Sequence, residues 1–376
     1  MNPIDTEFDD IRAYNDHEVS DVLKSLLNND EFISFIAQQR FPKLSQFLPR
    51  WTQKRIHSGL TKKFQKIHSI DDWQQQLAPH VTALLDNTIS HLSITGLEHL
   101  DKKQTYLFMS NHRDIAMDPL LINYALLKSG HATSKVAIGD NLLGREFVAH
   151  IMRLNKSFVV KRSVSGTRGK LVAAQSLSNY IHQCIKQQQH VWIAQREGRA
   201  KDNHDETESA VLKMLHLAGR KLGWEFHESM AYLNLVPVSI SYEWDPCDID
   251  KAKQLCATKE TGEYLKQQDE DFLSIIKGLK GKKGRVSIHF SQPLKLDSNQ
   301  PKDWCQAIDH EIYKHYEIFA NNRQAFKALT EQTPINSNFW HKRFDSLPKP
   351  MQQQVLETYA KPLLNQRGLN NHEHTH

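Results

Sequence analysis

Cysteine is scarce in this chain. Cys184, Cys247, Cys256 and Cys305 are the only four in 376 residues, widely separated and without a CxxC pair. That scarcity argues against a zinc knuckle and against a disulfide framework, and it agrees with a reducing compartment. Long apolar runs are also missing. No stretch approaches the ~20 consecutive apolar residues that a bilayer-spanning helix needs. The opening MNPIDTEFDDIRAYND is acidic where a signal peptide would be basic and then apolar, so the expected location is cytoplasmic. No RNP, zinc-finger or helix-turn-helix signature accompanies the mildly basic balance, a formal charge of +5 and a pI near 8.8. Such a balance suits anionic small molecules or anionic lipid headgroups, and no nucleic-acid partner is expected. Internal repeats and long low-complexity segments are absent as well.

What is present reads as a globular chain long enough to bury a full core, in one large domain or two smaller ones. Val19, Val22, Leu23, Leu26 and Leu27 recur at helix spacing. From Phe41 to Ile70, apolar Phe47, Leu48, Trp51, Ile56, Leu60, Phe64 and Ile67 interleave with Lys43, Arg50, Lys54, Arg55, Lys62, Lys63 and Lys66. This basic amphipathic pattern fits a helix lying in a membrane interface, and it fits equally a surface helix docked on the core. From about residue 90 short β-rich runs alternate with helical ones: 105–110, 135–140, 157–162, 190–195, 234–243 and 285–290 read as strands. Strand alternating with helix predicts an α/β core with a largely parallel central sheet and flanking helices. Texture divides the chain into an N-terminal helical region (1–89), an α/β domain (90–298) and a C-terminal helical extension (299–376), whose end, NHEHTH, reads as a polar tail.

In α/β sheets the sites form where strands end, and the polar clusters fall there. SNHRDIAMDPL, Ser110 to Leu120, follows the first of these strands and places His112 beside Asp114 and Asp118. Three chemistries use such a cluster. A kinase catalytic loop needs asparagine where Pro119 stands, and no nucleotide-pairing lysine or DFG accompanies it. A metal site lacks its remaining ligands, for there is no HxH, HExxH or second carboxylate cluster, and no metal is expected. The third is a histidine base oriented by a carboxylate, acting directly on a bound substrate hydroxyl because no GxSxG nucleophile is present. Arginine and lysine at neighbouring strand ends would then bind an anionic acceptor.

NHRDIAMD, SFVVKRS, WIAQREGRAK and LVPVSI, in that order between Gly96 and Pro293, resemble the four motifs of the glycerolipid acyltransferases of the 1-acylglycerol-3-phosphate acyltransferase type. These are NHx4D, a strand ending in Arg, a strand followed by EGTRS, and a proline-containing strand. Two departures stand out. Five residues separate His112 from Asp118 where the family has four, and the third block reads Glu-Gly-Arg-Ala-Lys. Asp118 runs into its helix as the family's aspartate does, whereas Asp114 is placed to cap that helix and remains the competing partner.

The resemblance implies an acyltransferase fold with helical extensions. It also implies transfer of a fatty acyl group from acyl-CoA or acyl carrier protein to a lysophospholipid hydroxyl, giving phosphatidate from lysophosphatidate, with no metal or redox cofactor. His112 would be the base and Asp118 or Asp114 its partner. Asn111, Arg113, Lys161, Arg162, Glu197, Gly198, Arg199 and Lys201 would line the substrate. The expected setting is peripheral, on the inner face of an anionic membrane. Another acceptor, such as a lyso-aminolipid or glycerol 3-phosphate, and a non-catalytic membrane-surface binding protein are the alternative readings.

Overall fold

A computed structural model describes residues 7–373, with side chains through residue 369. The strands are β1 (Ile89–Thr95), β2 (Leu107–Ser110), β3 (Lys135–Gly139), β4 (Ser157–Val160), β5 (Val191–Ala194), β6 (Leu235–Tyr242) and β7 (Gly284–Phe290). The chain divides into two compact units. One joins the segment ending at Ala83 to Lys135–Tyr180, and the other joins Leu84–Ser134 to the segment starting at Ile181. These cuts differ from the texture-based ones, because the chain leaves the second unit after Ser134 and returns to it at Ile181.

The second unit holds five strands in the order β1-β7-β6-β2-β5. Neighbours run parallel except β6 and β7, so the expected largely parallel sheet with flanking helices is what forms. Every residue of β6 is buried, the hydroxyls of Ser239 and Ser241 being hydrogen-bonded to the backbone at Ile312 and Glu317. Pro237 is tolerated in this inner strand because the ladder to β7 begins only at Val238. β1 is the strand that the sequence did not single out. It lies at the end of the order beside β7, and its His91, Ser93 and Thr95 give it the polar texture of an edge.

The C-terminal residues form helices Pro301–His315, Ala320–Thr330, Asn338–Phe344 and Lys349–Glu373. The last three pack Phe326, Trp340, Phe344 and Tyr359 into one cluster with Ala252 and Trp244. The final helix runs through Glu373, so NHEHTH is helical in its first half, and residues 374–376 lie outside the described residues. Among the described residues no helix is long and apolar enough to cross a membrane.

The first unit pairs β3 with β4 in parallel and carries the N-terminal helices Asp16–Asn28, Asp30–Arg40, Leu44–Phe47 and Pro49–Phe64. Val19, Val22, Leu23 and Leu26 form the buried face of the first helix, as their spacing predicts.

A buried histidine just before β5 should make the fold acid-sensitive. His190 Nδ1 accepts the Tyr106 amide at 3.1 Å and its ring stacks on Tyr106, so the neutral ring is the one the fold holds. Burial, followed by the nearby His131, pushes His190 down to about 4 from the ordinary 6.5. As pH falls from 6.5 toward 4, the unfolded chain takes up a proton that the folded chain refuses, so stability is lost across that window. The loss is on the order of 3 kcal/mol at its limit, from 1.36 kcal/mol per pKa unit. His190→Gln keeps an acceptor for the Tyr106 amide. Urea unfolding at pH 7 and pH 4.5 should show a smaller acid loss for this variant than for the parent, and equal losses would remove His190 as the cause.

Candidate active site

The turn after β2 is built by two aspartates with different tasks. Asp114 Oδ1 accepts the amides of Ala116 at 3.0 Å and Met117 at 2.9 Å, which closes the entry to the helix Met117–Lys128. Its Oδ2 lies against Gly278, where any Cβ would sit 1.9 Å from it. A glycine is therefore required there for the helix Glu270–Lys280 to pack on the turn. Burial, and then the charge of Asp118, pushes the Asp114 carboxyl up.

Asp118, one residue into the helix and fully buried, takes the imidazole instead. His112 Nδ1 lies 2.7 Å from Asp118 Oδ2, the same oxygen that accepts the amides of Arg113 at 2.6 Å and Asp114 at 2.9 Å. The extra residue between His112 and Asp118 is absorbed by this turn, whose amides wrap the carboxylate. The His112 side chain keeps 13% exposure while Asp118 has none, so the pair has a buried end and an accessible one. With Nδ1 engaged, Nε2 is the nitrogen left for a substrate proton. Trp192 of β5 meets the His112 ring edge-on, centroids 5.6 Å apart, and donates its indole N–H to Ser110 Oγ.

Asn111 and Arg113, expected against substrate, face inward. The Asn111 amide bridges the backbone of β6, accepting from Ile240 N at 2.8 Å and donating to Ile240 O at 2.9 Å, and it reaches Asp205. Arg113 forms a two-pronged ion pair with Asp205, Nη1 to Oδ1 at 2.6 Å, and lies over the Tyr316 ring. Burial alone would lower the guanidinium, but Asp205 outweighs it and holds Arg113 charged. The Arg113 carbonyl accepts from Lys251, which is itself ion-paired with Asp245. With its backbone N–H, its carbonyl and both terminal guanidinium nitrogens engaged, and only Nε buried without a partner, Arg113 is spent on holding the turn.

The turn after β5 runs alongside. Gln195 N donates to Ser110 O at 2.9 Å and Ala200 N to His112 O at 3.0 Å. Gly198 adopts φ +74° in open space, so glycine is needed there for backbone conformation and not for room. Glu197 is exposed, and its amide donates to Glu208. Arg199 turns to the helix Glu270–Lys280, donating to Ser274 Oγ at 2.7 Å with Asp271 at 4.0 Å. Lys201 is half-buried, and burial, Lys266 and Arg199 together lower its ammonium. Lys161 and Arg162, expected beside these cations, belong to the other compact unit. There Lys161 is ion-paired with Asp10, and the Arg162 amide donates to Asp140. Among the described residues no group of three or more His, Cys, Asp or Glu side chains is arranged to hold a metal ion.

Tyr242, Asp205, Trp192 and Lys251 were not singled out from the sequence. Tyr242 was within reach, since it ends an expected strand as the other site residues do. Asp205 carries no local signal, standing 92 residues from the arginine it neutralises.

Residues 91–241 match the family model described as Acyltransferase. A glycerol-3-phosphate acyltransferase of Pseudomonas fluorescens (strain SBW25) is 23% identical over 216 residues, covering 56% of this chain. The match spans 24% of that relative's length. The 1-acyl-sn-glycerophosphate (LPA) acyltransferase PlsC of Thermotoga maritima aligns in structure over 76% of this chain and 95% of its own at 15% identity. Its TM-score of 0.37 is too low to bear on fold or function.

Proposed function

We propose that the chain, whose residues 91–241 match the family model described as Acyltransferase, is a glycerolipid acyltransferase that moves a fatty acyl group from a thioester to the free hydroxyl of a lysophospholipid, with lysophosphatidate as the acceptor and phosphatidate as the product. The observation that carries the reading is the 2.7 Å pair of His112 and Asp118 at the end of β2. His112 Nε2 takes the hydroxyl proton as the oxygen attacks the thioester carbonyl. The carbon–sulfur bond then breaks, and the proton passes to the leaving thiolate. Asp118 holds the tautomer and stabilises the imidazolium. A thioester is already activated, so acyl-CoA or acyl carrier protein is a substrate and no further cofactor is called for. Arg199 and Lys266 already face Asp271, so Lys201, half-buried on the turn that runs beside His112, is the cation assigned to an anionic headgroup on the acceptor. Glycerol 3-phosphate is the second acceptor to test, because the curated relative is named for it. Mass spectrometry of the purified protein with acyl-CoA and a panel of lysolipids and glycerol 3-phosphate should show one acceptor gaining an acyl chain. If none does, the proposal falls.

The second part of the proposal is a membrane surface on the first unit. The helix Pro49–Phe64 buries Thr52 and Phe64, and Phe64 packs edge-on to Trp73, so Phe64 is a docking residue and not the membrane anchor its sequence context suggested. Leu44, Phe47, Leu48 and Trp51 stay exposed, Phe47 at 79%, beside exposed Lys43, Arg50, Lys54 and Arg55. Apolar side chains flanked by cations fit an anionic bilayer interface. Each cation contributes ~1 kcal/mol near such a surface. Sedimentation with anionic vesicles should fall with salt, and fall further when Lys54, Arg55, Lys62 and Lys63 become glutamine. Undiminished binding of that variant would place the membrane contact elsewhere.

A further inference from the structure

The carboxylate that orients His112 is itself held from its other side by a single hydroxyl. Tyr242 is the last residue of β6 and stands one position beyond the segment matched by the family model. Its hydroxyl donates to Asp118 Oδ1 at 2.7 Å, while His112 Nδ1 and the Arg113 and Asp114 amides crowd on Oδ2. The tyrosine is buried, so Oδ1 takes this bond in an environment without bulk water. Burial first, and then Asp118, Asp114 and Asp245, pushes the phenol well above its ordinary value, which keeps it a donor.

We propose that Tyr242 is a positioning residue: its hydroxyl fixes the plane of the Asp118 carboxylate and draws negative charge toward Oδ1, and so sets how basic His112 is. The identity of the reaction rests on the acyl-transfer reading above, but the effect on the imidazole does not. A carboxylate that loses one donor keeps more charge for its remaining partners. Without the tyrosine hydroxyl, Asp118 would therefore hold the imidazolium more tightly, and it would also be free to rotate. The charged groups around the pair are Asp114 of the same turn, Asp245 after β6, Lys251 of the helix Asp248–Thr261, which neutralises Asp245 and bonds the Arg113 carbonyl, buried Lys283 just before β7, which faces Asp114 and Asp245, and Arg199 of the turn after β5, which faces Asp245. Tyr242→Phe leaves all of them in place, so the difference between variant and parent reads the hydroxyl.

The full-length chain carrying Tyr242→Phe is compared with the parent by two measurements. In the first, imidazole NMR follows the titration of His112, identified by the signal lost in His112→Gln. In the second, kcat and KM are followed against pH with acyl-CoA and the acceptor found by mass spectrometry. The His112 midpoint and the acid limb of kcat/KM should both rise by about half to one pH unit. Turnover should fall about tenfold with KM changed less than twofold, because an orienting contact is lost and no substrate contact is. Tyr106→Phe is the control, since that buried ring's hydroxyl donates to the Asp101 carbonyl at 3.1 Å, away from the groups around the pair, and its loss should produce neither effect. A His112 midpoint unchanged or lowered in Tyr242→Phe overturns the proposal, as does an equal rise in Tyr106→Phe. If the midpoint rises while the parent acylates no acceptor, Tyr242 keeps its role and the acyl-transfer reading is what fails.

Discussion

Alanine at position 112 is expected to lower turnover by ~10²-fold or more while leaving the fold intact. The ring's one strong partner is Asp118, and its ring packs on Trp192. The His112 carbonyl, which receives the Ala200 amide, is backbone and survives the substitution. Thermal unfolding and far-UV circular dichroism should therefore stay close to the parent while acyl transfer collapses. A folded variant with near-parental activity would remove His112 from the mechanism. The two neighbouring aspartates should separate in the same assays. Asp118→Asn leaves only one oxygen for donors that now use both, and its amide no longer stabilises an imidazolium, so activity should fall heavily. Asp114→Asn retains an acceptor for the Ala116 and Met117 amides, so it should cost mainly stability, about 1 kcal/mol as for a weakened helix cap. The reverse pattern would make Asp114 the catalytic partner despite the geometry.

The largest loss of stability is expected from Asp205→Ala. Arg113 and Asp205 are 3% and 1% exposed and bonded through the two terminal guanidinium nitrogens. Removing the carboxylate strands a guanidinium in the interior, at a cost of roughly 3–5 kcal/mol. It also frees the Asn111 amide from one partner and loosens the turn on which His112 stands. Replacing both members by apolar residues of similar volume, Arg113→Met with Asp205→Leu, should recover most of that loss, because the penalty belongs to the unpaired charge and not to the missing pair. Urea unfolding of the two single variants and the double variant measures the cycle. A cost below about 1 kcal/mol for Asp205→Ala would mean that water reaches Arg113 and that the pair does not brace the turn.

The strands could be read because each buried run is short, apolar and bounded by turn residues, a pattern that depends on near neighbours alone. β1 escaped because an edge strand with alternating His, Ser and Thr presents no such run. The amphipathic segment at Phe41–Ile70 was legible as a pattern but not as an orientation. Phe64 and Trp51 look alike in composition, and only the presence of Trp73 beside Phe64 separates the docked side from the exposed one.

By itself the sequence determined where chemistry could sit, since strand ends collect polar residues and the His112, Asp114 and Asp118 spacing makes sense only on a turn entering a helix. It also determined that Asp114 can brace the turn, because an aspartate reaches amides two and three residues ahead, although the residue in the N-cap position is Ala116. The tertiary structure decided which partners those residues have. Asp118 meets the imidazole because the turn wraps its carboxylate in amides, and Tyr242 reaches it from β6, 124 residues away. Arg113 and Asn111 point inward because Asp205 and the β6 backbone are there, and Lys161 and Arg162 fall in a different compact unit from His112. Such pairings follow from how apolar faces stack and how the chain crosses between strands, and side chains a hundred residues apart leave no periodic trace of that in the order of the amino acids.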